Sequence, residues 1–156
     1  MKNYPDAYID FLIEFHASRD YFECHEILED YWKDEDRSPH WPALIQLAVA
    51  VYHERQQNYR GSLRLYRKVL NHLQTMHEAI EALAIDVESL RAIVKNRINN
   101  ILNEKAYTPL NLPLTDDELI SQCEILSKDR GLQWKFIEDL SDDQLIYRHK
   151  LRDRSN

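Results

Sequence analysis

Tyr21-Phe22-Glu23-Cys24-His25-Glu26-Ile27-Leu28-Glu29-Asp30-Tyr31-Trp32 reads as one helix with a polar flaw in its apolar face. At about 100° per residue, Tyr21, His25, Leu28 and Trp32 fall on one stripe, and Glu29 lies on its edge, one turn from His25. A histidine and a carboxylate four residues apart, turned toward a core, require a partner or a purpose. Asp20 precedes the stretch as a helix cap, with Glu23 three residues on. Beyond it, Asp34-Glu35-Asp36-Arg37-Ser38-Pro39 is a polar loop, and Pro39 and Pro42 mark the next helix start.

That next helix, residues 41–56, is apolar nearly all round between Leu44 and Tyr52, which places it at the centre of a fold. Gln46 is the polar break in this run, and His53 follows on almost the same side. A short loop makes the two helices antiparallel neighbours. Folding the chain about residues 37–38 sets Glu29 opposite Gln46 and His25 opposite Ala50, with His53 within a turn of His25. On this register His25, Glu29, Gln46 and His53 converge beside Trp32, Tyr21 and Tyr52.

The rest of the chain extends the helical pattern. Tyr8, Phe11, Leu12 and Phe15 give a first helix after Pro5-Asp6, with His16 read as a solvated residue of its last turn. Leu63, Tyr66, Leu70, Leu73, His77 and Ile80 form the seam of a fourth helix over residues 62–83. Asp86 caps a fifth, which turns Val87, Leu90, Val94, Ile98 and Ile101 inward and carries basic flanks at Arg91, Lys95 and Arg97. Tyr107-Thr108-Pro109-Leu110-Asn111-Leu112-Pro113-Leu114 is an extended connector, because its prolines exclude a helix interior. Thr115-Asp116-Asp117-Glu118 starts a helix ended by Gly131, and Ser141-Asp142-Asp143-Gln144 starts a terminal one. The expected fold is all-α: a compact antiparallel bundle of about five helices with a helical C-terminal extension. The expected organisation is a core domain over residues 1–104 and an extension over residues 105–156.

Composition agrees with that class. The chain has 156 residues, a formal net charge of −7 and only two glycines, which leaves little material for hairpins or phosphate loops. The acidic balance, with a pI near 5.5, argues against nucleic acid as the partner. Cys24 and Cys123 lack metal-type spacing. The N-terminus has no apolar signal core and no apolar run reaches membrane-spanning length, so the expected location is cytoplasmic.

The cluster has three readings. In the plainest, His25 bonds Glu29 or Gln46 and the polar knot sets helix register. In the second, His25, Glu29 and His53 ligate a divalent metal, with Glu26 as a base; the His-Glu-x-x-Glu spacing departs from the His-Glu-x-x-His of zinc helices at Glu29. In the third, these groups and the aromatics line a small-ligand pocket. Separately, Arg67-x-x-x-x-His72 resembles the signature of the HEPN superfamily of helical ribonucleases, which implies metal-independent RNA cleavage by that pair; its plain reading is a solvated basic helix face.

The combination His25-Glu26-x-x-Glu29-x-x-Trp32, Leu44 through His53, and Asn58-x-x-Gly61-Ser62 resembles the bacterial domain-of-unknown-function family 309. The resemblance spans residues 8–75. It implies a small all-helical cytosolic protein whose motif residues map onto His25, Glu26, Glu29, Trp32, Gln46, His53, Asn58 and Gly61. Ser62 departs from the usual alanine. The family implies no activity. Asn58 and Gly61 have a structural account, Asn bonding local backbone and Gly taking a left-handed conformation at a turn.

The functional expectation is therefore a protein-binding or scaffold module, without a cofactor, whose contact surface is the basic and aromatic face of the fourth helix or the C-terminal segment, with a protein partner or self-association. The alternatives are a metal-dependent hydrolase using His25, Glu29 and His53, a small-ligand sensor, and a HEPN-like ribonuclease using Arg67 and His72.

Overall fold

Four helices begin where a side chain accepts a hydrogen bond from an otherwise orphaned first-turn amide. Asp20 accepts from Glu23 N at 3.0 Å, Asn58 from Gly61 N at 3.3 Å, Asp86 from Ser89 N at 3.2 Å and Asp116 from Leu119 N at 3.3 Å. The computed structural model describes residues 3–138. In chain order the helices are α1 (Asp6–Ile13), α2 (Tyr21–Asp34), α3 (Trp41–Arg55), α4 (Tyr59–Thr75), α5 (His77–Glu81), α6 (Val87–Leu102) and α7 (Asp117–Asp129). A π-helical segment, Glu14–Ser18, continues α1 to Arg19, which takes the left-handed conformation at φ 59°.

The central helix is α3, as its all-round apolarity requires. It packs against α2 on one side and α4 on the other. Leu47, Ala48, Ala50 and Val51 are fully buried, and the small alanines admit close approach of neighbouring helices. α6 packs on α4, and α1 packs on both α2 and α7.

The architecture corrects the expectation of about five helices with a C-terminal extension. Among the described residues there are seven α-helices. The seam from Leu63 to Ile80 is interrupted at Met76, whose backbone (φ −115°, ψ 27°) leaves the helical region and separates α4 from α5. The described chain between residues 107 and 123 contributes to the same core. Tyr107, Leu110, Leu112, Leu119 and Cys123 are all buried within it. Ile85 and Leu114 form an antiparallel bridge, with Asp86 N donating to Pro113 O at 2.9 Å and Thr115 N to Ala84 O at 2.8 Å. Tyr4 donates to Asp116 at 2.6 Å and Arg130 pairs with Asp10 at 2.8 Å, which fastens α7 to the N-terminal helix. The physical reason is the alternation of Leu110, Leu112 and Leu114: with Pro109 and Pro113 excluding a helix, it makes an extended strip with an apolar edge, which folding covers. The terminal helix expected from residue 141 lies outside the described residues.

His16 also departs from expectation. It is fully buried, not solvated. Its Nδ1 donates to Leu12 O at 2.8 Å, and its Nε2 accepts from Leu112 N at 2.9 Å. Both ring nitrogens are thus engaged by a neutral imidazole, which stacks on Trp134 at 4.5 Å. Burial lowers its pKa from the ordinary 6.5 to about 3. Between those values the unfolded chain binds a proton that the folded chain refuses, so stability falls as pH drops from about 6.5 toward 3. Urea unfolding at stepped pH should show this loss, approaching about 1.4 kcal/mol per pH unit from this residue. The slope should flatten in His16→Gln; an unchanged slope would remove His16 as its source.

Candidate functional site

On α2, residues 25, 29 and 33 stand four apart and form a chain. His25 Nε2 donates to Glu29 Oε2 at 2.7 Å, and Lys33 Nζ donates to Glu29 Oε1 at 2.7 Å. Both carboxylate oxygens are therefore engaged. The Lys33 hydrogen bond is the main reason the Glu29 carboxyl lies below its usual range; partial burial opposes it, and His25 adds to it. An ionised Glu29 only accepts, so the proton of this contact sits on His25 Nε2. His25 Nδ1 is buried without a hydrogen-bond partner, as are Trp32 Nε1 and Gln46 Oε1. Trp32 also carries the Arg37 guanidinium over its ring at 4.8 Å.

The α2–α3 register follows the folding point near residues 37–38: the Phe22 ring meets the Tyr52 ring at 5.9 Å. Ring centroids step from His25 to Phe22 at 5.6 Å, across to Tyr52, and on to His53 at 5.6 Å. His53 Nδ1 instead accepts from Asn58 Nδ2 at 3.2 Å, in the turn before α4. Glu26 is half-buried on α2. Among the described residues no three His, Cys, Asp or Glu side chains come together to hold a metal ion, so His25, Glu29 and His53 do not form a ligand set. Arg67 is exposed and His72 half-buried on α4. Five positions apart, they point about 140° from each other around the helix.

Asn58 and Gly61 shape the α3–α4 turn, though not as expected. The left-handed residue is Gln57, at φ 66°. Gly61 lies in the helix, where a Cβ would come 2.9 Å from Asn58 Nδ2 and obstruct the cap. Ser62 is fully buried and donates to Ala50 O at 2.8 Å, which ties α4 to α3.

A second polar assembly, deeper than the first, escaped the sequence reading. Glu54 accepts from Arg97 Nη1 through both oxygens, each at 3.2 Å, and from Tyr66 OH at 2.7 Å. Arg55 Nη1 meets Glu138 Oε2 at 2.6 Å and Arg19 O at 2.7 Å, while its guanidinium lies over the Tyr21 ring at 4.7 Å. Tyr107 OH donates to Glu138 Oε1 at 2.8 Å and contacts Tyr21 OH at 2.7 Å. The signal was present for Arg97: with Leu90, Val94 and Ile101 it completes a three-and-four spacing on the inner face of α6. Its charge had placed it on a solvated flank.

The family model described as Domain of unknown function (DUF309) matches residues 8–65. A Bacillus subtilis (strain 168) protein named Uncharacterized protein YpuF is 44% identical over 156 residues, a match covering 98% of this chain and 90% of that protein. The chain belongs to the DUF309 family. No solved structure matches it. The DUF309 segment ends within α4 and contains the whole α2–α3 pair. Likeness to the Bacillus protein extends beyond that segment to 98% of this chain, and so takes in residues 107–123, which this DUF309 chain packs into its core.

The two assemblies should respond differently to substitution. Glu54→Ala leaves Arg97 buried without its anion and should cost about 3–5 kcal/mol in chemical unfolding. Glu29→Gln disturbs a half-exposed chain and should cost no more than about 1 kcal/mol. A reversed order would mean that the α2 cluster, not the deeper one, holds the fold.

Proposed function

We propose that this DUF309 protein is a protein-binding module acting in the cytoplasm, a helical platform whose contact surface is the outer face of α4. The observation that carries this reading is a concentration of unpaired cations. Arg60, Arg64, Arg67 and Lys68 are all exposed. None forms an ion pair among the described residues. No Asp or Glu occurs from residue 55 through residue 77, in a chain of net charge −7. Such a face is solvated at little cost, yet it attracts and orients an anionic partner surface. Among the described residues no helix is long and apolar enough to cross a membrane.

The test is recovery of partners from cell extract with wild-type protein and with Arg60→Glu/Arg64→Glu/Arg67→Glu. The module reading expects specific partners on the wild type that are lost on charge reversal while the melting temperature holds. An identical set on both would overturn it.

A second reading, a small-ligand site between α2 and α3, is favoured by the buried and unpartnered His25 Nδ1, Trp32 Nε1 and Gln46 Oε1, which all belong to the family motif. A polar ligand offering both donors and acceptors would satisfy them. Its expected signature is a change of tryptophan emission on adding a metabolite mixture, abolished in Trp32→Phe. Emission that does not change, or changes equally in Trp32→Phe, would remove this reading.

A further inference from the structure

Asn58, Arg60, Gly61, Leu63, Arg64 and Arg67 line a groove along the first half of α4. We infer that this groove receives an acidic helical segment of a protein partner, whose carboxylates pair with Arg60, Arg64 and Arg67 and whose apolar side chain rests on Leu63. The inference builds on the module reading and adds the chemistry of the partner.

The spacing comes first. Positions 60, 64 and 67 share one face of α4, rising about 6 Å and then 4.5 Å along the axis. A partner helix with Asp or Glu at the same intervals matches all three. All three cations are arginine, whose planar fork binds a carboxylate through two parallel hydrogen bonds and loses less freedom on pairing than lysine. The floor is suited to close approach. Leu63 is half-buried and lines the groove, and Tyr59, next to Asn58 and Arg60 in the chain, is 38% exposed. A central apolar contact inside a charged rim is the usual anatomy of a protein interface.

Magnitude separates this partner from nucleic acid, which also carries regularly spaced anions. The stripe spans about 10 Å and offers three aligned arginines, whereas nucleic-acid binding that survives physiological salt usually uses about six or more phosphate contacts. A long polyanion would also run past this face onto a molecule of net charge −7. A short acidic helix meets the arginines and ends.

The experiment is fluorescence anisotropy of the full chain with three labelled probes. The first is a helical peptide of about 15 residues with Glu at positions i, i+4 and i+7 around one Leu. The second is the same peptide with Gln for Glu, and the third is an oligouridylate of about 15 nucleotides. The expected result is binding of the Glu peptide alone, weakened by salt, and weakened by about tenfold or more in Arg60→Glu/Arg64→Glu. Lys128→Glu, a reversal on α7, should leave it unchanged. Binding of the oligouridylate in preference to the peptide would overturn the inference and assign the groove to nucleic acid. Binding of no probe, or peptide binding indifferent to the arginine reversal, would overturn it as well. If cell partners are lost on charge reversal while the Glu peptide fails to bind, the inference fails and the module reading stands. If the partners are unchanged, the module reading itself fails.

Discussion

Arg55 places a guanidinium in the interior, with a side-chain exposure of 1%, and an interior charge is tolerated only beside an opposite one. Its carboxylate comes from Glu138, at the far end of the described chain. Arg19 repeats the arrangement with neutral acceptors: Leu110 O, Asn111 Oδ1 and Phe136 O each take one of its hydrogen bonds at 2.8 Å. Lifting residues 107–138 from the helices would leave both guanidinium groups short of partners in an apolar setting. The helices and the segment that wraps them therefore form one cooperative structure.

This constraint sorts the unusual side chains by role. The buried groups around Glu54, Arg55 and His16 bond one another or the backbone and so hold elements together. The DUF309 motif groups on α2 and α3 lie nearer the surface, and several of their polar atoms lack protein partners. The cations of α4 lie outside both assemblies, on the face opposite Tyr66, Val69 and Leu73, which are buried. Structural duty and surface chemistry are thus separated by depth, and the surface chemistry is what is free to meet another molecule.

Much of the fold was legible because its causes are local. Asp20, Asp86 and the apolar run of α3 act within a few residues of themselves, and their consequences can be read directly. Arg97 was misassigned because its charge was given more weight than its spacing with Leu90, Val94 and Ile101. His16 was misassigned because a histidine at a helix end ordinarily finds water, and here Leu112 N and Trp134 cover it. The candidate site was half legible. The His25–Glu29 contact follows from four-residue spacing, whereas the Phe22–Tyr52 contact and the His53–Asn58 hydrogen bond depend on how α2, α3 and the turn before α4 come together.

The sequence by itself determined that the chain is helical, where α2, α3 and α6 begin, that α3 is central, and that the chain carries the DUF309 motif. Each rests on periodicity, capping or residue identity, which need no knowledge of distant contacts. Only the tertiary structure decided which carboxylate neutralises which buried arginine, that residues 107–123 join the core, and that among the described residues His25, Glu29 and His53 form no metal-ligand set. Those outcomes join residues as far as 120 positions apart. Their approach is set by how side-chain volumes and polar groups are satisfied together in the packed interior, a condition that no local pattern encodes.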